Sequence, residues 1–234
     1  RDRSVSRGLG DVYKRQIISC QAVEGEPLYV EEKSIMYLMA RAAKQAGTPA
    51  IRTSSIRDVI AIKEETGLPV IGLVKIQYPG YEGYITPTMK EVDDLVAAGS
   101  DVVALDCTLR KRGDGITVNE FIAQIKEKYP DIILMADISN YEEGINAWKC
   151  GVDIVGTTMS GYTDYTSKKD GPDYELMERL AKDTDIPVIG EGRVHYPQQA
   201  VEMLDAGAFA VVVGGAITRP LEIAQRFISA VDAR

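Results

Sequence analysis

The chain of 234 residues holds one histidine, one tryptophan and three cysteines. A lone His195 excludes the multi-histidine and Cys/His metal sites, so no metal is expected. Cys20, Cys107 and Cys150 form no CxxC pair, and an odd, scattered set is no disulfide framework. Free thiols in a reducing compartment, the cytoplasm, are the expectation. There is no GxGxxG turn and no Walker A loop, so no nucleotide cofactor is signalled. The longest apolar run, Ala208 to Ile217, falls short of the roughly 20 residues that span a bilayer. Positive charge is also scarce. Lys and Arg number 27 against 35 Asp and Glu, a net −8. Nucleic acid and anionic membranes are therefore not expected as partners.

What is present reads as a full-sized core, with 45% hydrophobic residues. Arg1 to Gln16 stand apart: five basic residues, two aspartates, no apolar core of a signal peptide. They read as a non-native or disordered segment, and residues 17–234 as one domain. In that domain eight β-rich runs alternate with helical patterns. The runs are Ile17–Cys20, Pro49–Thr53, Val70–Lys75, Val102–Leu105, Ile132–Ala136, Ile154–Thr157, Val188–Gly190 and Ala210–Gly214. They are continuously apolar, as parallel strands covered on both faces are. Between them, Glu31–Ala46 carries a helical stripe at Ile35, Leu38, Met39, Ala42, Ala43 and Ala46. Thr88/Glu91, Thr117/Glu120 and Ser139/Glu142 have the spacing of capping boxes. Eight β-then-α units predict a single closed (β/α)8 TIM barrel of the phosphate-binding type rather than an open sheet.

Such barrels hold their chemistry at the C-terminal strand ends. The ends here deliver Gln21, Arg52, Lys75, Asp106 with Cys107, Asp137, Thr157-Thr158, Glu191-Gly192 and Gly214-Gly215. Burying so many ionisable groups costs desolvation unless they pair or meet a ligand. Two readings follow: a polar small-molecule site, or an ion-pair layer closing the barrel. Gly192, Gly214 and Gly215 let backbone approach an anion, and Arg219 adds charge before a helix starting near Thr218–Pro220. Lys75 is the acid/base candidate if neighbouring cations and desolvation lower its pKa. Otherwise it pairs with Asp137 or Glu191. Cys20 and Cys107 are weighed as a two-thiol base pair, against the commoner role of core cysteine. The loop from Met159 to Pro172, with Tyr162 and Tyr165, has the length of a lid.

Several segments together resemble the bacterial N-acylmannosamine-6-phosphate 2-epimerases. They are ISCQA (18–22), GLVK (72–75), ITPTMKEVD (85–93), ALD (104–106), MADIS (135–139), TTMSGYTDYT (157–166), EGR (191–193) and VVVGGAITRP (211–220). The resemblance runs through residues 17–234 in order. It implies a cofactor-free isomerase that inverts C2 of N-acetylmannosamine 6-phosphate in sialic-acid catabolism. It implies Lys75 as acid/base, Glu191 as active-site carboxylate, and Gln21, Arg52 and Asp137 as residues that contact or orient the sugar. Thr158 and Tyr162 join them, with Gly192, Gly214, Gly215 and Arg219 at the phosphate end. A homodimer is compatible with it. Two other functions stay open: a Schiff-base aldolase or lyase using Lys75, and a non-catalytic phosphosugar-binding barrel.

Overall fold

The computed structural model describes residues 16–234. The disordered reading of residues 1–15 lies outside them, whereas Gln16 already belongs to the first strand. Eight strands run β1 (Gln16–Ser19), β2 (Ile51–Ser54), β3 (Val70–Leu73), β4 (Val102–Asp106), β5 (Ile133–Asp137), β6 (Ile154–Gly156), β7 (Val188–Glu191) and β8 (Ala210–Val213). Between them lie α1 (Met36–Ala46), α2 (Ile56–Thr66), α3 (Met89–Ala97), α4 (Val118–Lys128), α5 (Tyr141–Lys149), α6 (Tyr174–Asp183) and α7 (Pro197–Asp205). After β8 come a short α8 (Gly215–Thr218) and α9 (Pro220–Asp232). Every strand pairs in parallel with its sequence neighbours, and β1 pairs β8, so the barrel closes. This is the (β/α)8 architecture read from the chain.

The side-chain period of two divides each strand between two cores. Ile18, Ile51, Val103, Leu134, Val155 and Val211 face the helices, where they meet Met36, Val59, Leu95, Phe121 and Met177. Their neighbours Ile17, Ala50, Ile71, Leu73, Ala104, Met135, Ile154, Ile189 and Val212 fill the barrel interior. The same parity carried two residues further puts Ser19, Gln21, Arg52, Lys75, Asp137, Thr158, Glu191 and Gly214 on the inward side. Continuous apolar runs therefore end in inward-facing polar groups, all at one mouth.

The capping boxes at Thr88/Glu91 and Thr117/Glu120 form. The third does not. Asn140 caps α5, and the reaching carboxylate is Glu143, not Glu142. Glu143 is buried and accepts from Ser139 N and Oγ, Leu109 N and the Tyr165 hydroxyl. It thus ties three loops together, a demand that local spacing does not reveal. The first helix also starts later than its pattern, at Met36; of the expected stripe Ala43 is buried and Ile35 and Met39 pack on the core, joined by Met36 and Ala40. Leu38, Ala42 and Ala46 are exposed. Strand β3 ends at Leu73, two residues before Lys75.

Candidate active site

Lys75 leaves β3 on a short antiparallel ribbon. Thr86 N donates to Val74 O and Ile76 N donates to Tyr84 O, so Lys75 sits opposite Ile85. The ribbon fixes the backbone that carries the amine, and no spacing rule in the sequence announces it. The Lys75 side chain opens into a cavity of about 260 Å³ at the C-terminal mouth of the barrel. Ser19, Gln21, Arg52, Thr158, Tyr162, Glu191, Gly192, Gly214, Gly215 and Arg219 line the same cavity. Nearly every residue named from the sequence therefore meets at one place. Asp106, Cys107 and Thr157 lie outside it, and Asp137 is fully buried behind Arg52 and Thr158.

The expected ion pairs are distributed differently from either sequence reading. Arg52, not Lys75, takes both carboxylates. Its Nη2 donates to Asp137 Oδ2 at 2.6 Å, and its Nε lies 3.2 Å from Glu191 Oε1. Its Nη1 points at Met135 Sδ, 3.3 Å away. A guanidinium only 1% exposed needs such partners, because an unpaired buried charge is costly. Thr158 Oγ1 donates to Asp137 Oδ1 at 2.6 Å and lies 3.3 Å from Glu191 Oε2. Thr157 clamps the end of β7 from both sides: Glu191 N donates to its hydroxyl, which donates to Glu191 O. Arg52, Asp137, Thr158 and Glu191 form one continuous network under the cavity floor.

Lys75 stays outside these pairs, and that sets its acidity. The enclosing mouth of the barrel, then the Arg52 and Arg219 guanidiniums, lower its pKa, against a smaller opposing pull from Glu191. Glu191 moves the other way. Burial pushes its carboxyl up to about 7, with Asp137 adding to the rise and Arg52 opposing it. An amine shifted toward neutrality and a carboxyl titrating near it share one cavity, the condition for moving protons at physiological pH. The thiols do not compete. Cys20 is pushed up to about 12 by burial and then by Asp58; Cys107 is raised well above its usual value by burial. Neither lines the cavity.

Gly192, Gly214, Gly215 and Arg219 line the cavity together with Lys75. Gly192 has φ +112°, a conformation open to glycine and strained for other residues. The first helix after β8 begins at Gly215, earlier than the Thr218–Pro220 start expected from sequence. The N–H groups of Gly215 and Ala216, in its first turn, have no acceptor within the helix. A Cβ on Gly215 would come within 2.1 Å of Glu222 Oε2, so any larger residue there would push that carboxylate aside. Arg219 is engaged already, at 2.9 Å from Glu26 and 3.0 Å from Glu222. An arriving anion has to compete with one of these two carboxylates. Gln21 supplies a further open contact: its Nε2 donates to Ser19 Oγ, which leaves the buried Oε1 without a partner.

Residues 36–233 match a family described as "Putative N-acetylmannosamine-6-phosphate epimerase". The chain belongs to this family. Two relatives carry the name "Putative N-acetylmannosamine-6-phosphate 2-epimerase". One, from Caldanaerobacter subterraneus subsp. tengcongensis, is 54% identical over 93% of this chain and 91% of its own length. The other, from Clostridioides difficile, is 49% identical over 96% of this chain and 99% of its own. A solved structure of the N-acetylmannosamine-6-phosphate 2-epimerase from Clostridium perfringens superimposes with a TM-score of 0.87 at 48% identity, covering 92% of this chain and 93% of that one. A thiamine phosphate pyrophosphorylase from Pyrococcus furiosus, 19% identical with a TM-score of 0.57, shares the fold alone. Membership in the epimerase family makes the chain an isomerase of carbohydrate phosphates with a role in amino-sugar metabolism. No helix among the described residues is long and apolar enough to cross a membrane.

Proposed function

We propose that the cavity epimerises C2 of N-acetylmannosamine 6-phosphate to give N-acetylglucosamine 6-phosphate, with Lys75 as acid/base. The observation that carries this reading is the Lys75 amine, free of carboxylate pairing and lowered in pKa, in one cavity with Gly192, Gly214, Gly215 and Arg219. The phosphate lies at that glycine-lined end. The open-chain sugar then presents C2, next to the C1 aldehyde, to Lys75. The amine takes the C2 proton, and the C2–H electron pair moves into a C1–C2 double bond, leaving charge on O1. A proton from water delivered to the other face of C2 restores the aldehyde with inverted configuration, and the Lys75 ammonium returns its proton to solvent. Glu191, titrating near neutrality, exchanges a proton with a sugar oxygen, and Arg52 offsets the developing negative charge. Asp137 and Thr158 hold those two groups in place. Gln21 Oε1 accepts from the sugar, and Tyr162 covers it from the mouth. Phosphate binding far from C2 supplies the positioning. A proton NMR time course in heavy water tests this. Deuterium should enter C2 as product forms; unlabelled product would overturn proton transfer at C2, and an aldol cleavage product would favour the lyase reading.

The proposal extends to the enzyme's setting. A phosphorylated amino sugar and three free thiols suit the cytoplasm. We also propose that two copies pair through α9. That helix has no buried residue, and Phe227 (73% exposed), Ile228 and Val231 lie bare on it. An apolar groove of about 400 Å³ runs along α7 and the outer face of β8, lined by Val201, Leu204, Val211, Val213 and Ile217. Covering such a face is favourable by about 25 cal/mol per Å². Light scattering on the native protein should give a dimer mass, and Phe227→Asp with Val231→Asp a monomer. A native monomer at micromolar concentration would remove the pairing.

A further inference from the structure

We propose that Arg193 is a positioning residue that holds the β6–α6 loop as a fixed wall of the cavity. This inference rests on the epimerase reading above. Arg193 follows Gly192 directly and adopts φ +53°, a left-handed backbone that non-glycine residues seldom take. That turn sends its side chain sideways onto the preceding loop. There Nη2 donates to Ser160 O at 2.7 Å and Nε donates to Gly171 O at 3.1 Å. The two carbonyls lie at opposite ends of the loop, so one planar fork bridges its entry and exit. The same guanidinium lies 4.9 Å from the centre of the Tyr162 ring, the aromatic group at the cavity mouth. Gly161 completes the fit: a Cβ there would sit 3.1 Å from Arg193 Nη1.

The length of this loop suggests a lid, yet its contacts are those of a fastened segment. Tyr165 is tied to Glu143, Ser160 Oγ donates to Asp173 Oδ2, and Arg193 clasps the two ends. One stretch of backbone, Glu191-Gly192-Arg193, thereby carries three tasks. The first residue faces the chemistry, the second clears room for the anion, and the third orders the neighbouring wall. Nε and Nη2 of Arg193 are spent on backbone carbonyls, and its side chain lies along the cavity wall that the loop completes. A single-point amine cannot replace a fork that spans two carbonyls.

Arg193→Gly tests this, because glycine keeps the left-handed turn and removes only the side chain. Without the clasp, only a fraction of molecules hold the loop in place, and apparent affinity falls by that fraction. The expected result is a rise in KM for N-acetylmannosamine 6-phosphate of about tenfold, with kcat changed less than about threefold. Amide hydrogen exchange across residues 160–171 should quicken, and added methylguanidinium should lower KM again. Arg193→Lys, which preserves charge, should fall between the two and serves if the glycine variant does not fold. Unchanged KM with unchanged loop exchange overturns the proposal. So does a collapse of kcat at constant KM, which would place Arg193 in the chemistry itself. Native protein that turns nothing over would indict the function instead, while the exchange comparison still reads the clasp.

Discussion

Lys75→Ala is expected to lose turnover by roughly 10²–10⁴-fold, the range that a positioned acid/base contributes. Binding of N-acetylglucosamine 6-phosphate should survive, because the anion end is built from Gly192, Gly214, Gly215 and Arg219 on other strands. A second substitution separates a base from a mere cation. Lys75→Arg keeps the charge beside Arg52 but installs a group that does not deprotonate near neutrality. If Lys75 acts by taking a proton, the arginine variant is as dead as the alanine one. If it acts only by attracting negative charge, arginine retains much of the rate. Activity by NMR together with calorimetric binding decides between them, and an active Lys75→Arg enzyme would remove Lys75 as the base. The lowered pKa of Lys75 arises first from the enclosing walls and then from two guanidiniums. Arg52→Met should therefore raise it, seen as an upward shift of the Lys75 titration followed by NMR rather than by activity, since Arg52 also serves the chemistry.

The alternation of continuous apolar runs with helical patterns made the barrel legible, because strands buried on both faces cannot hide their composition. The site was legible for a related reason. A parallel strand that runs out of its core delivers its next inward residue to the mouth, and Arg52, Asp137 and Glu191 stand at just such positions. What escaped the sequence is non-local. Nothing near Arg52 says that it, rather than Lys75, will take both carboxylates; that follows from β2 facing β5 and β7 across the barrel. Glu143 was missed in favour of Glu142 because its partners come from three separate loops. The inward face of α1 was legible at Ile35, Met39 and Ala43 and rotated toward Met36 and Ala40, leaving Leu38, Ala42 and Ala46 exposed. Arg193 left a signal, a charged residue after a glycine turn. Its carbonyl partners belong to another loop and could not be read with it.

The network below the cavity carries the largest stability effect. Asp137 has no exposed surface and holds a guanidinium that is itself 1% exposed. Asp137→Ala removes the 2.6 Å partner and leaves the Arg52 charge in the barrel with only Glu191, at 3.2 Å. Breaking a buried pair in this way costs about 3–5 kcal/mol. In a chain of this size that lowers Tm by about 10 °C. The cost comes from the orphaned charge, so removing both charges should cost less than removing one. The double variant Arg52→Met, Asp137→Leu is expected to melt above Asp137→Ala while remaining inactive, because Glu191 then loses its guanidinium partner. Thermal unfolding of the three proteins measures the difference directly. A single variant that melts within about 2 °C of the native chain would mean that water or Glu191 compensates Arg52. The Asp137 pair would then not be what holds the floor of the site together.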